Sequence, residues 1–101
     1  MNRFVIADDH PALPGHFPGR PIVPGVVILD RVLDAVEAAH GPLGALRLPQ
    51  VKFLRPLLPG QVARVMVEAL APSRPGAPAM CWRFRVEHDG ALLASGEVAA
   101  A

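Results

Sequence analysis

His16 and Asp30 are the side chains of this sequence whose types and spacing best suit proton-transfer chemistry. An imidazole can remove a proton near neutral pH and a carboxyl group can return one, provided that separate rigid elements hold the two groups in place. Residues 11–25 include five prolines and three glycines, so they predict a loop whose backbone is restricted. Asp30 lies just after this loop, in an apolar run that predicts a helix.

The elements that must position these side chains follow from the spacing of apolar residues. Residues 26–39 predict a helix, which His40, Gly41 and Pro42 end. Short apolar or alternating runs predict strands at residues 4–7, 51–55, 61–70, 81–87 and 91–98. An Asp-Gly pair between the last two runs predicts a hairpin turn. The order predicts an α+β fold, in which an antiparallel sheet of five to six strands wraps around one central helix, as a single domain over residues 1–101.

The predicted helix divides into two parts. Its first turn is apolar on every side, so we expect other structure to surround it. Asp30, Asp34 and Glu37 then share one face, which is the pattern of a partly exposed helix. General-acid chemistry by Asp30 requires a carboxyl that stays protonated near neutral pH, which apolar neighbours such as Leu29 and Leu33 would favour.

The composition favours a small globular protein and argues against several classes. Hydrophobic residues make up 51% of the chain, and a net charge of +1 is too balanced to indicate binding to nucleic acid or to an anionic membrane. No apolar run approaches the ~20 residues of a membrane span, and the first residues do not resemble a signal peptide. Cys81 is the only cysteine, which fits a reducing compartment, so we expect a cytoplasmic protein.

Three segments of the sequence together resemble one family. They are residues 15–30 (GHFPGRPIVPGVVILD), residues 52–61 (KFLRPLLPGQ) and, more weakly, residues 82–98 with their Asp-Gly hairpin. This order is similar to that of the hot-dog fold dehydratases of fatty-acid synthesis, the FabA/FabZ type of 3-hydroxyacyl-[acyl-carrier-protein] dehydratase. The resemblance covers almost the whole chain, and its first motif is long and specific.

The sequence departs from that family in two places. It has no counterpart of the amino-terminal helical segment and hydrophobic strand of the housekeeping enzymes, and in this it looks more like compact relatives of specialised acyl pathways, such as those that make aryl polyenes. Asp34 occupies the position, one turn after the acid, where the family usually has glutamine. The acid itself is Asp30, as in the FabA branch, whereas the FabZ branch uses glutamate.

The resemblance implies a role for each residue of the first motif. His16 would remove the α-proton of a 3-hydroxyacyl thioester, and Asp30 would protonate the leaving β-hydroxyl group. The backbone N–H of Gly25 would polarise the thioester carbonyl. The substrate-binding walls of the acyl pocket would be Phe17, Pro21, Val23 and Leu29. The product would be a trans-2-enoyl thioester, and the reaction would need neither a metal nor another cofactor.

The resemblance also implies partners. The substrate would be linked to an acyl carrier protein or to coenzyme A. The arginines and lysine at positions 20, 31, 47, 52 and 55 could attract an acidic carrier, although an ordinary solvated surface is the default interpretation of these residues. The chain would form a homodimer in which His16 of one subunit faces Asp30 of the other. A higher oligomer, or a heterodimer with a homologue, is the alternative assembly. Nucleic acid and membrane are not expected partners.

The residues also allow less specific interpretations. His16 could hydrogen-bond its own loop, and Asp30 could belong to an ordinary solvated helix face. Pro24 and Gly25 could simply start a helix. A hot-dog thioesterase, which would hydrolyse the same thioester, and a non-catalytic acyl-binding subunit are the two alternative functions.

The remaining histidines and the cysteine carry no clear chemistry. His40 is expected at the end of the helix, where it favours the helix dipole, and His88 is expected in a turn. His10, with Asp8 and Asp9, lacks the spacing of a metal site. Cys81 is expected in the core of the sheet rather than as a nucleophile.

Overall fold

The structure is a computed structural model that describes residues 2–6, 22–41, 44–70 and 80–100. Its elements are β1 (Asn2–Val5), α1 (Gly25–His40), β2 (Leu46–Phe53), β3 (Val62–Leu70), β4 (Cys81–His88) and β5 (Ala91–Ala100). The strands form one antiparallel sheet in the order β1-β3-β4-β5-β2. One helix and a five-stranded antiparallel sheet confirm the predicted α+β class within the described part of the chain.

The sheet forms because apolar and charged side chains alternate along its central strands. On β4, Trp82 and Phe84 are buried, whereas Arg83 and Arg85 are exposed on the opposite face, as the sequence predicts. The buried side chains of the sheet and of α1 form one apolar cluster without a buried charged residue among those described. This cluster lies between the helix and one face of the sheet and holds the two together.

The hairpin and the helix agree with the sequence patterns. Asp89 and Gly90 both have positive φ, 51° and 82°, which suits the tight turn that joins β4 to β5. The helix runs one residue further at each end than predicted. Its buried side includes Val32 and Val36, both with no exposed surface, and it packs on β3 and β4. No helix among the described residues is long and apolar enough to cross a membrane.

The strands differ from the prediction at several of their ends. β2 begins at Leu46 rather than at residue 51, because an edge strand tolerates Pro49, and the register shifts between Arg47 and Gln50. β1 ends at Val5, before the predicted residue 7. His88 is not a turn residue but the last residue of β4, where its Nδ1 atom lies 2.8 Å from the carbonyl oxygen of Val62.

The first turn of α1 also differs from expectation. Val27 and Ile28 are buried, but Val26 exposes 64% of its surface. The apolar first turn is therefore covered on one side only within a single chain. Asp30, Asp34 and Glu37 are all exposed, as their shared face predicts.

Candidate active site

The start of α1 has backbone donors for which the described residues supply no acceptor. Pro24 precedes the helix with extended geometry (φ −59°, ψ 143°), and no side chain caps the helix. The N–H groups of Val27 and Ile28 donate to the Pro24 carbonyl at 3.0 and 3.4 Å. Among the described residues, no group accepts a hydrogen bond from the N–H of Gly25 or Val26. These N–H groups lie at the positive end of the helix dipole, where an oxygen bearing negative charge is favoured.

A cleft of about 400 Å³ opens at this helix start. Residues before and within the helix form one wall, and the end of β2 with the segment after it forms the other. The described lining residues are Ile22, Val23, Pro24, Gly25, Ile28, Phe53, Leu54, Arg55, Pro56 and Leu57. All of them except Arg55 are apolar or glycine, so the cleft suits an apolar group that carries a polar atom for the unpaired N–H groups.

Hydrogen bonds between backbone groups fix both walls of this cleft. The N–H of Val23 donates to the carbonyl of Leu57 at 2.8 Å, which joins the segment before the helix to the segment after β2. The N–H groups of Leu54 and Arg55 both donate to the carbonyl of Leu93 on β5, at 2.7 and 3.2 Å. The lining segments are therefore tied to each other and to the sheet, and the cleft is preformed.

Gly25 lies directly against an aromatic ring, that of Phe53. A Cβ atom added to Gly25 would lie 2.7 Å from Cζ of Phe53, closer than such contacts allow. The Phe53 ring thus lies against the helix start, and 52% of the surface of this residue remains exposed. A residue other than glycine at position 25 would require the Phe53 ring to move.

Several lining residues were not predicted from the sequence, and Phe53 is the one that contacts Gly25. Its motif was identified, but the contact with Gly25 joins residues far apart in the chain. The available signal was the alternation on β2, since Lys52 pairs with Ser95 while Phe53 pairs with the buried Ala94. That alternation places Phe53 on the helix side of the sheet.

The structure brings together two of the predicted site residues and separates two others. Val23 and Gly25 both line the cleft. Leu29 is half-buried and packs against the core instead of lining the cleft. Asp30 is exposed on the face that carries Asp34, so the apolar surroundings expected for its carboxyl are not supplied by the described residues of its own chain.

Several predicted positions lie outside the described residues. They are His16, Phe17, Pro21 and Arg20, together with Asp8, Asp9 and His10. Within the described ranges, no group of three or more His, Cys, Asp or Glu side chains could hold a metal ion.

Cys81 has the environment of a structural thiol. It is half-buried on β4, and its Sγ atom lies 3.7 Å from Oε1 of Glu97. Burial first, and then the nearby carboxylate, raises the pKa of the Cys81 thiol above its ordinary value. A thiol that stays protonated is a poor nucleophile, which agrees with its interpretation as a core residue.

Comparison with known families and solved structures shows which proteins this chain resembles. A family model described as ApeI-like, ApeI dehydratase, matches residues 2–97. The chain belongs to this family. A 3-hydroxyacyl-[acyl-carrier-protein] dehydratase FabZ from Symbiobacterium thermophilum is 36% identical over an alignment of 77 positions, which covers 68% of this chain and 54% of that protein. The FabZ from Pseudoalteromonas translucida is 32% identical over an alignment of 106 positions, which covers 89% of this chain and 65% of that protein. The ApeI-like chain thus spans only part of the length of these relatives.

Solved structures show the same fold. The dehydratase heterocomplex ApeI:P from Xenorhabdus doucetiae matches with a TM-score of 0.73 and 22% identity, covering 96% of this chain and 81% of that one. A hypothetical protein from Thermus thermophilus matches with a TM-score of 0.59 and 20% identity, covering 99% and 85%. The hot-dog fold expected for this ApeI-like chain is confirmed.

Proposed function

We propose that this chain dehydrates 3-hydroxyacyl thioesters to trans-2-enoyl thioesters, in the cytoplasm and with an acyl carrier protein or coenzyme A as the handle. The observation that carries the proposal is the apolar cleft at the start of α1, which is lined by Gly25, a residue whose N–H has no acceptor among the described residues. Membership of the ApeI-like dehydratase family and similarity to FabZ proteins support it.

The chemistry needs two proton transfers and one stabilised charge. The Gly25 N–H donates to the thioester carbonyl oxygen. His16 takes the α-proton, and the negative charge that moves onto that oxygen is stabilised by the helix start. Asp30 then gives its proton to the β-hydroxyl, the C–O bond breaks and water leaves as the C=C bond forms. Proton transfer from the protonated His16 back to Asp30, directly or through solvent, restores the starting state.

A second copy of the chain is part of this proposal. Asp30 is exposed and is not among the described residues that line the cleft, so the described part of its own chain does not surround the acid with apolar groups. The exposed apolar side chains near the cleft are Val26, Phe53, Leu54 and Leu58. β2 is an edge strand that pairs only with β5 among the described strands. An open edge beside exposed apolar groups favours pairing with another copy.

A homologous subunit is the alternative partner. The related structure from X. doucetiae is described as a heterocomplex, ApeI:P, so an edge-to-edge partner of similar fold is a specific alternative to a second identical chain. Light scattering of the purified chain distinguishes the two: a homodimer doubles the mass of the chain, whereas a chain that needs a different partner remains a monomer.

The activity is tested with a 3-hydroxyacyl thioester of N-acetylcysteamine, a short neutral handle. We expect ultraviolet absorbance of the conjugated enoyl thioester to rise without release of free thiol. Thiol release without enoyl product would identify a thioesterase instead. Tight binding of the acyl thioester without either product would identify a non-catalytic acyl-binding subunit, and both outcomes would overturn the proposed dehydration.

A further inference from the structure

The cleft at the start of α1 combines an apolar interior with one cation. Of its described lining residues, Arg55 alone is charged. An apolar cleft with a cation in its lining suits an amphiphile that carries both a hydrophobic chain and an anion. We propose that Arg55 binds the phosphate group of the pantetheine handle, a proposal that rests on the thioester chemistry inferred above.

The backbone at Arg55 is held firmly. Its N–H and that of Leu54 donate to the same carbonyl oxygen, that of Leu93 on β5. Pro56 follows directly and restricts the backbone of Arg55 to extended conformations. The next residue, Leu57, has no exposed surface and accepts the Val23 hydrogen bond. The side chain of Arg55 therefore extends from a fixed point while its own surface is exposed.

Arg55 is also available for an external anion. Among the described residues, the one ion pair joins Arg85 to Glu87 at 2.8 Å, so no described carboxylate lies within 4.0 Å of the Arg55 guanidinium. The planar guanidinium group donates two parallel hydrogen bonds to phosphate oxygens, a geometry that lysine does not reproduce. Carrier-bound phosphopantetheine and coenzyme A share a phosphate at this end of the pantetheine arm, so both handles present the same chemistry.

The test compares two thioesters that differ only in this phosphate. The same 3-hydroxyacyl group is attached to pantetheine and to 4′-phosphopantetheine, and kcat and KM are measured for each. We expect the unmodified protein to prefer the phosphorylated handle by about tenfold in kcat/KM, mainly through KM, since a partly exposed charged hydrogen bond contributes that much. Arg55→Gln removes this preference for the phosphorylated handle, and Arg55→Lys keeps part of it.

Arg64→Gln is the matched control. Arg64 is exposed on β3, where its backbone lies opposite Glu87 of β4 and Arg3 of β1 in the sheet register. It is not among the described residues that line the cleft, so its substitution lowers the net charge equally without removing a lining residue. We expect Arg64→Gln to keep the preference. Equal preference in the unmodified protein and in Arg55→Gln, or no preference in the unmodified protein, would overturn the role of Arg55 while leaving dehydration intact.

The failure of dehydration itself has a separate outcome. If neither thioester is turned over, the proposed function fails, and titration calorimetry with 4′-phosphopantetheine and pantetheine alone still tests Arg55. Tighter binding of the phosphorylated compound that Arg55→Gln abolishes and Arg64→Gln retains would support the phosphate site. Equal binding of the two compounds would overturn it. Comparison of carrier-linked with coenzyme A-linked substrate then identifies which handle the protein uses.

Discussion

The two ends of α1 are built in different ways. At the carboxyl end, Gly41 has φ 83° and donates its N–H to the Glu37 carbonyl at 2.7 Å, while the His40 ring packs on Trp82 with 5.1 Å between ring centroids. These contacts end the helix in an ordinary stable way. At the amino end no side chain caps the helix, and Gly25 faces the Phe53 ring instead.

The difference separates stability from function. A serine or aspartate cap at a helix start stabilises it by about 1 kcal/mol and satisfies an N–H group. Pro24 and Gly25 provide no such side chain, and the donors remain available to the cleft. The amino end of α1 lacks a side-chain cap, whereas hydrogen bonding and packing stabilise its carboxyl end. An uncapped amino end of this kind has the features of a ligand-binding site.

The largest effect expected at the amino end is that of Asp30→Asn. Asparagine keeps the size of the side chain but cannot supply the acid proton, so we expect kcat to fall by about a thousandfold. Asp34→Asn is the matched control, since Asp34 lies one turn further on the same exposed face. We expect its kcat to change less than about threefold. Equal losses in the two variants, measured by enoyl formation, would contradict the assignment of the acid.

Gly25→Ala should have the next largest effect. The added methyl group collides with Phe53 and requires the ring, which lines the cleft, to move, so we expect kcat/KM to fall by about a hundredfold. The double variant with Phe53→Leu has room for the methyl group and should recover about tenfold of that loss.

Phe53→Leu alone is the control for that rescue. It removes the ring without changing the helix start, and the loss in the double variant is compared with the loss in this single variant. If Gly25→Ala and the double variant are equally impaired although both fold, the contact between the ring and the glycine does not set the geometry of the site.

The smallest effect is expected at the carboxyl end of the helix. His40→Ala removes the contact with Trp82, and we expect the free energy of unfolding to fall by about 0.5–1 kcal/mol with kcat/KM unchanged. Urea unfolding followed by the fluorescence of Trp82, the only tryptophan, measures this at fixed protein concentration. A loss of activity without loss of stability would instead link this end of the helix to the reaction.

Local sequence patterns predicted most of the fold. The helix was predicted to within one residue at each end because its apolar periodicity and the Gly-Pro stop are local signals. The Asp-Gly turn was predicted for the same reason. The start of β2 was not predicted because Pro49 makes the sequence of this edge strand look like a loop. His88 was predicted in a turn rather than in β4 because the sequence does not show that the strand continues up to the first turn residue.

The site could be predicted only in part. Pro24 and Gly25 mark a helix start locally, and Val23 next to them lines the cleft as expected. The contact of Gly25 with Phe53 depends on how the edge strand packs against the helix, which no local pattern encodes. The surroundings of Asp30 depend on what covers its exposed face, and a single chain does not contain that information.

In the proposed dimer, a base from one chain and an acid from the other meet at the amino end of α1. Mixing two inactive variants tests this arrangement most directly. We expect the His16→Ala and Asp30→Asn proteins to be inactive when each is alone. In every hybrid dimer, however, one of the two sites has both an intact His16 and an intact Asp30. After subunit exchange, confirmed by native mass spectrometry of one tagged variant, we expect activity to return to about a quarter of the unmodified level. Complete exchange without any recovery would contradict the shared site.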